Sequence, residues 1–63
     1  MTYHDCWNRF EAIIQVMNEK QFNSEEFYFV CRSYERNSFI NDALEKGYKL
    51  EFTSENFARF TRV

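Results

Sequence analysis

Directly after the only glycine of the chain, Gly47, the hydropathy pattern changes period. Tyr48-Lys49-Leu50-Glu51-Phe52-Thr53 alternates apolar and polar residues without exception. Strict period two marks a half-buried β-strand. A lone strand is not stable, because its backbone donors and acceptors need partners. Something must therefore lie beside residues 48–53. Two in-chain candidates exist: Phe27 to Cys31, which carries a strong helix start, and the tail from Ser54 to Val63. The third candidate is the same strand of a second chain, antiparallel across a two-fold axis. At 63 residues the chain is one small domain, 1–63. Domains of this size bury only about 60% of their unfolded surface and lean on a disulfide, a metal or a partner subunit.

Two helices are predicted ahead of the strand. Tyr3, Cys6, Trp7, Phe10, Ile13, Ile14 and Met17 recur at steps of three and four, one face of a helix from about 2 to 19. Thr2 followed by Asp5 reads as a capping box with Asp at the third helical position. After the linker Asn18–Phe22, a second start is written more strongly. Asn23 with Glu26 forms a capping box, and Phe22 with Phe27 forms a hydrophobic staple. This helix runs from about 24 to 46 and stops at Gly47, the natural residue past a helix end. Its apolar faces disagree. Phe27, Val30, Cys31 and Tyr34 share one side; Phe39, Ile40, Ala43 and Leu44 share nearly the opposite one. Either the helix breaks near Asn37, with Asn37 or Ser38 capping a third helix, or one long helix buries different faces along its length. The tail 54–63 reads equally as a helical turn, a strand or a frayed end.

The expected fold is α+β: two main amphipathic helices and one strand, completed by packing in a homodimer. Three features lead there. Strand 48–53 lacks a partner, one segment carries two apolar faces, and thirteen aromatic residues exceed what a two-helix unit buries. Twofold symmetry is the commonest arrangement of oligomers. Tyr48, Leu50 and Phe52 are the residues of the expected dimer strand.

Charge and cysteine usage narrow the function. The formal net charge is −2, without the basic excess usual in nucleic-acid binders. No apolar run reaches the ~20 residues of a membrane span. The first residues carry neither a basic nor an apolar signal region, so a cytoplasmic protein is expected. Cys6 and Cys31 are then thiols, small and buried. Two Cys and one His cannot close a four-ligand zinc site. His4, Asp5 and Cys6 are adjacent, but helix neighbours do not face one another; His4 is expected at the surface. No phosphate loop and no nucleophilic triad is present, so no enzyme, cofactor or metal is expected.

Two binding readings remain. Trp7, Phe10, Phe27, Phe29 and Tyr34 could line an aromatic cleft that accepts another protein. The competing reading of each residue is core packing. Arg32 and Arg36, four apart on one expected helix face, could instead meet nucleic acid, with Arg59 and Arg62 on the tail and Tyr34, Phe57 and Phe60 interleaved. Glu35 and Glu55 would repel phosphate there.

From Met1-Thr2-Tyr3-His4-Asp5-Cys6-Trp7 through Phe57-Ala58-Arg59-Phe60-Thr61-Arg62-Val63, the chain resembles a small early protein of lambdoid temperate bacteriophages, encoded between the exonuclease and excisionase genes. The resemblance covers the whole chain in length and texture and rests on no diagnostic motif. It implies a helical dimer with a strand, made early in the host cytoplasm and associated with favouring lytic over lysogenic development. It carries over no catalytic residue. The expectation is a non-enzymatic regulator that binds a host or phage protein, with nucleic acid as the rival partner.

Overall fold

The apolar stripe of the first segment builds the helix its spacing predicts. The computed structural model describes residues 3–63, with side chains from Asp5 onward. Helix α1 spans Tyr3–Lys20. Cys6, Phe10, Ile13, Ile14 and Met17 are buried, and Trp7 packs half-buried against them. The Thr2 cap and the side chains of Tyr3 and His4 lie outside the described residues. Asp5 in the first turn and Lys20 in the last both suit the helix dipole. The helix ends in a Schellman-type reversal: Gln21 takes a φ of +56°, and the Phe22 N–H donates to the Met17 carbonyl at 3.2 Å.

The second predicted helix is corrected. Residues Ser24–Tyr28 form strand β1, so neither the Asn23–Glu26 box nor the Phe22–Phe27 staple starts a helix. The chain then runs without regular secondary structure to Arg32, enters a short 3₁₀ turn at Ser33–Glu35 and continues as α2, Arg36–Glu45. A later separate helix was one of the two readings, but its start differs: Asn37 and Ser38 lie inside α2 and cap nothing. The physical reason is tertiary. Phe27, Tyr28, Phe29 and Val30 are aromatic or β-branched and suit a strand, and a neighbouring strand offers this segment a full ladder of hydrogen bonds. Of the second apolar face, Phe39 and Ala43 are buried, Ile40 is half-buried and Leu44 is exposed. Gly47 ends α2 as expected, at φ +91°.

The single-strand expectation is also corrected. Strand β2, Tyr48–Phe52, forms where predicted, but the tail supplies β3, Phe57–Arg62. The sheet order is β1-β3-β2, with both pairings antiparallel. The partner that residues 48–53 require is therefore in the same chain, and no second copy is needed to complete the sheet. Compactness agrees. The Cα radius of gyration is 10.5 Å, and a packed domain of this length is expected at about 10.6 Å.

Pleating sorts the sheet residues onto two faces. Tyr48, Leu50, Ala58 and Phe60 point at the helices and are buried. Phe10, Phe29, Phe39 and Phe60 are completely buried and meet ring to ring, with Phe29–Phe39 at 5.0 Å and Phe10–Phe60 at 6.0 Å. Polar groups tie the layers together. The Tyr48 hydroxyl donates to Asn18 Oδ1 on α1. Arg62 Nη2 donates to the Met17 carbonyl at 3.0 Å, a second donor on the acceptor that the Phe22 N–H already reaches at the α1 end. Among the described residues, no helix is long and apolar enough to cross a membrane.

Candidate binding face

Both helices pack on one side of the sheet, and among the described residues nothing covers its other side. The register places three cross-strand rows there. Ser24, Thr61 and Lys49 form the first row; Glu26, Arg59 and Glu51 the second; Tyr28 and Phe57, beside Thr53, the third. Every one of these residues except half-buried Thr61 is exposed. Large apolar groups in this position are unusual, since an uncovered sheet face normally carries polar residues. Tyr28 is 50% exposed and Phe57 42%. Their rings meet edge to face at 5.7 Å, a favoured aromatic geometry. The Arg9 guanidinium reaches from α1 to within 5.7 Å of the Tyr28 ring.

The polar rows hold one another in place. Ser24 Oγ and Thr61 Oγ1 are hydrogen-bonded at 3.1 Å. Thr53 Oγ1 donates to Glu26 Oε2 at 2.6 Å, spanning β3. Lys49 Nζ lies 3.4 Å from Glu51 Oε1. Arg59 sits between Glu26 and Glu51 in register. Two carboxylates thus flank the central cation, which lowers its appeal to a phosphate.

A second feature lies beside α1, where the chain leaves β1. Cys6, Val30, Cys31, Arg32 and Glu35 line a pocket of about 310 Å³ between α1 and the 3₁₀ turn. Cys6 Sγ donates to the Val30 carbonyl at 3.4 Å. The buried Glu35 carboxylate accepts from the Arg32 backbone N–H at 3.3 Å. Burial first, then the Glu35 charge, pushes the Cys6 thiol up; burial first, then Cys6, does the same to Cys31. Both groups are held as thiols, the opposite of an activated nucleophile. Among the described residues no group of three His, Cys, Asp or Glu is placed to hold a metal ion.

The residues predicted for an aromatic cleft do not share one. Phe10 and Phe29 are completely buried core residues. Trp7 stacks tilted on Phe39 at 4.3 Å, and Phe27 lies half-buried, edge-on to Phe60 at 5.8 Å. Tyr34 alone is open, 73% exposed, its hydroxyl accepting from Arg32 at 2.9 Å. Arg32 and Arg36 do not share a helix face, because Arg32 is extended at φ −72°, ψ 146°. That hydrogen bond to Tyr34 raises the Arg32 pKa above its ordinary value. The Arg36 guanidinium lies over the Phe52 ring at 4.8 Å. Of the expected dimer strand, Tyr48 and Leu50 are buried and Phe52 half-buried. Tyr28 and Glu26 were missed as site residues, and Arg59 and Phe57 entered only the nucleic-acid reading. The outward alternation of Phe57, Arg59 and Thr61 is the signal for part of that face, once the tail is known to be a strand.

Comparison of the chain with protein families, curated proteins and solved structures gives no match.

Proposed function

We propose that this chain is a non-enzymatic binding module whose uncovered sheet face docks on another protein. The observation that carries the reading is the exposed Tyr28–Phe57 pair on a face that no helix covers. Exposed aromatic clusters with a polar surround are typical of protein contacts. A protein partner fits better than nucleic acid because Glu26 and Glu51 flank Arg59. The partner surface that fits is an apolar spot rimmed by basic side chains, able to meet the two carboxylates. The module works as a homodimer, a reading supported by the outer strands of the sheet, which among the described residues have no partner on their outer edges. On the resemblance given above, its setting is the host cytoplasm early in phage infection, where it favours lytic development by binding a host or phage protein. The thiols held protonated at Cys6 and Cys31 support a role without covalent chemistry.

The test is affinity capture from bacterial host lysate, with and without nuclease. Three baits are compared: the native chain, the double variant Tyr28→Ser/Phe57→Ser, and Arg32→Glu. Both aromatics are about half exposed, so the double variant should keep its native circular dichroism. Nuclease-resistant capture lost only in the aromatic variant supports the reading. Capture that survives that variant, or that disappears with nuclease, overturns it and turns attention to nucleic acid.

A further inference from the structure

The sheet has two outer strands, and they differ in what they offer a neighbour. Hydrogen bonds from Thr53 N–H to the Phe57 carbonyl and from Val63 N–H to the Gly47 carbonyl set the phase of the β2–β3 ladder. Antiparallel hydrogen-bonded pairs alternate with non-bonded ones. Lys49 and Glu51 therefore bond inward to β3, while the backbone N–H and C=O groups of Tyr48, Leu50 and Phe52 point to the free edge. Among the described residues nothing pairs with that edge. The matching bonds from Phe29 N–H to Asn56 and from Arg62 N–H to Asn23 leave Ser24, Glu26 and Tyr28 facing outward on β1.

We propose that the free edge of β2 pairs antiparallel with β2 of a second copy of this chain, with Leu50 opposite its own counterpart. This names the interface of the homodimer proposed above and rests on that reading. The argument is charge complementarity. In this register Lys49 of each chain lies directly opposite the second copy's Glu51, and Tyr48 lies opposite the second copy's Phe52. The Lys–Glu positions fall at non-hydrogen-bonded pairs, where side chains approach most closely. Tyr48, Leu50 and Phe52 fall at hydrogen-bonded pairs, so their outward N–H and C=O groups are all used. A two-fold axis normal to the sheet keeps the helices of both copies on one side. Lys49 and Glu51 are more than half exposed on the bare face, where they are ion-paired with each other at 3.4 Å; the two-fold pairing exchanges that pair within one chain for two pairs between chains. The β1 edge lacks this property. A two-fold pairing centred on Glu26 sets carboxylate against carboxylate, and Glu25 adds two more charges. Inward and edge charges of one sign are how natural sheets keep edges apart.

The experiment is sedimentation equilibrium of the full chain up to about 0.5 mM, since dimer population follows concentration. Four chains are compared: native, Lys49→Glu, Glu51→Lys and the double exchange Lys49→Glu/Glu51→Lys. The native chain should dimerise. Each single variant converts two attractive pairs into repulsive ones and should weaken self-association roughly tenfold. The double exchange should restore it, and an equimolar mixture of the two single variants should form the heterodimer preferentially. Should Glu51→Lys, set beside Arg59, fail to fold by circular dichroism, Lys49→Glu beside Thr61 still decides: its self-association must fall. A native dimer indifferent to these exchanges overturns this interface and leaves the homodimer standing. A native chain that stays monomeric throughout overturns both, while capture through the Tyr28–Phe57 face is judged separately.

Discussion

Gln21 holds a φ of +56° at the end of α1, where side chains other than glycine are strained. Gln21→Gly should therefore stabilise the protein by up to about 1 kcal/mol, read as a higher midpoint in urea unfolding. Cysteine chemistry acts at the same scale. Cys6 and Cys31 sit above the ordinary thiol value of 9.0, chiefly because burial disfavours the thiolate. Their contribution is fully present below the unfolded value. As pH rises past it, the unfolded chain releases these protons while the native chain retains them. Stability is then lost up to the native values. Urea midpoints should fall as the pH rises through the ordinary thiol value of 9.0 and beyond it, and less steeply in Cys31→Ala. An unchanged slope in that variant would remove the thiol from the account. Most residues of the α1 core were legible from spacing alone, because a helix buried on one side must repeat its apolar positions at three and four.

Residues 24–28 carry two local programmes at once. Asn23, Glu26, Phe22 and Phe27 spell a helix start, while Phe27-Tyr28-Phe29-Val30 suits a strand. Local signals of this kind are worth about 1 kcal/mol, and a strand docked against β3 gains a ladder and the burial of Phe29. Proline separates the two states. The Glu25 N–H faces β3, so Glu25→Pro should cost about 1–3 kcal/mol through a lost ladder bond. The Glu26 N–H faces the free edge, so Glu26→Pro should cost well under half as much. In a helix starting at Asn23 both positions lie in the first turn, and both prolines would be mild. Paired thermal melts of the two variants decide it. The tail shows the reverse situation. Phe57-Ala58-Arg59-Phe60-Thr61-Arg62 carries a weak pattern, because small Ala58 and exposed Phe57 blur the alternation. It becomes the central strand because β1 and β2 both need it.

At the scale of the whole molecule, the sheet is closed on one side and open on the other. That asymmetry could not be read before the tail was placed, because a face exists only once three strands are in register. The same holds for the candidate site. Tyr28, Phe57 and Arg59 lie on separate strands and meet only through pairing, whereas Phe10 and Phe29, which look equally available in sequence, vanish into the core. By itself the sequence determined what depends on near neighbours: helix α1, its buried stripe, the stop at Gly47 and the strand at 48–52. Periodicity and turn chemistry act over a few residues and need no knowledge of the rest. Only the tertiary structure decided that 24–28 is a strand, that the tail lies at the sheet's centre and which aromatics remain outside. Those outcomes depend on hydrogen-bond ladders and burial between segments as distant in sequence as Ser24 and Thr61, whose combined free energy exceeds any local preference.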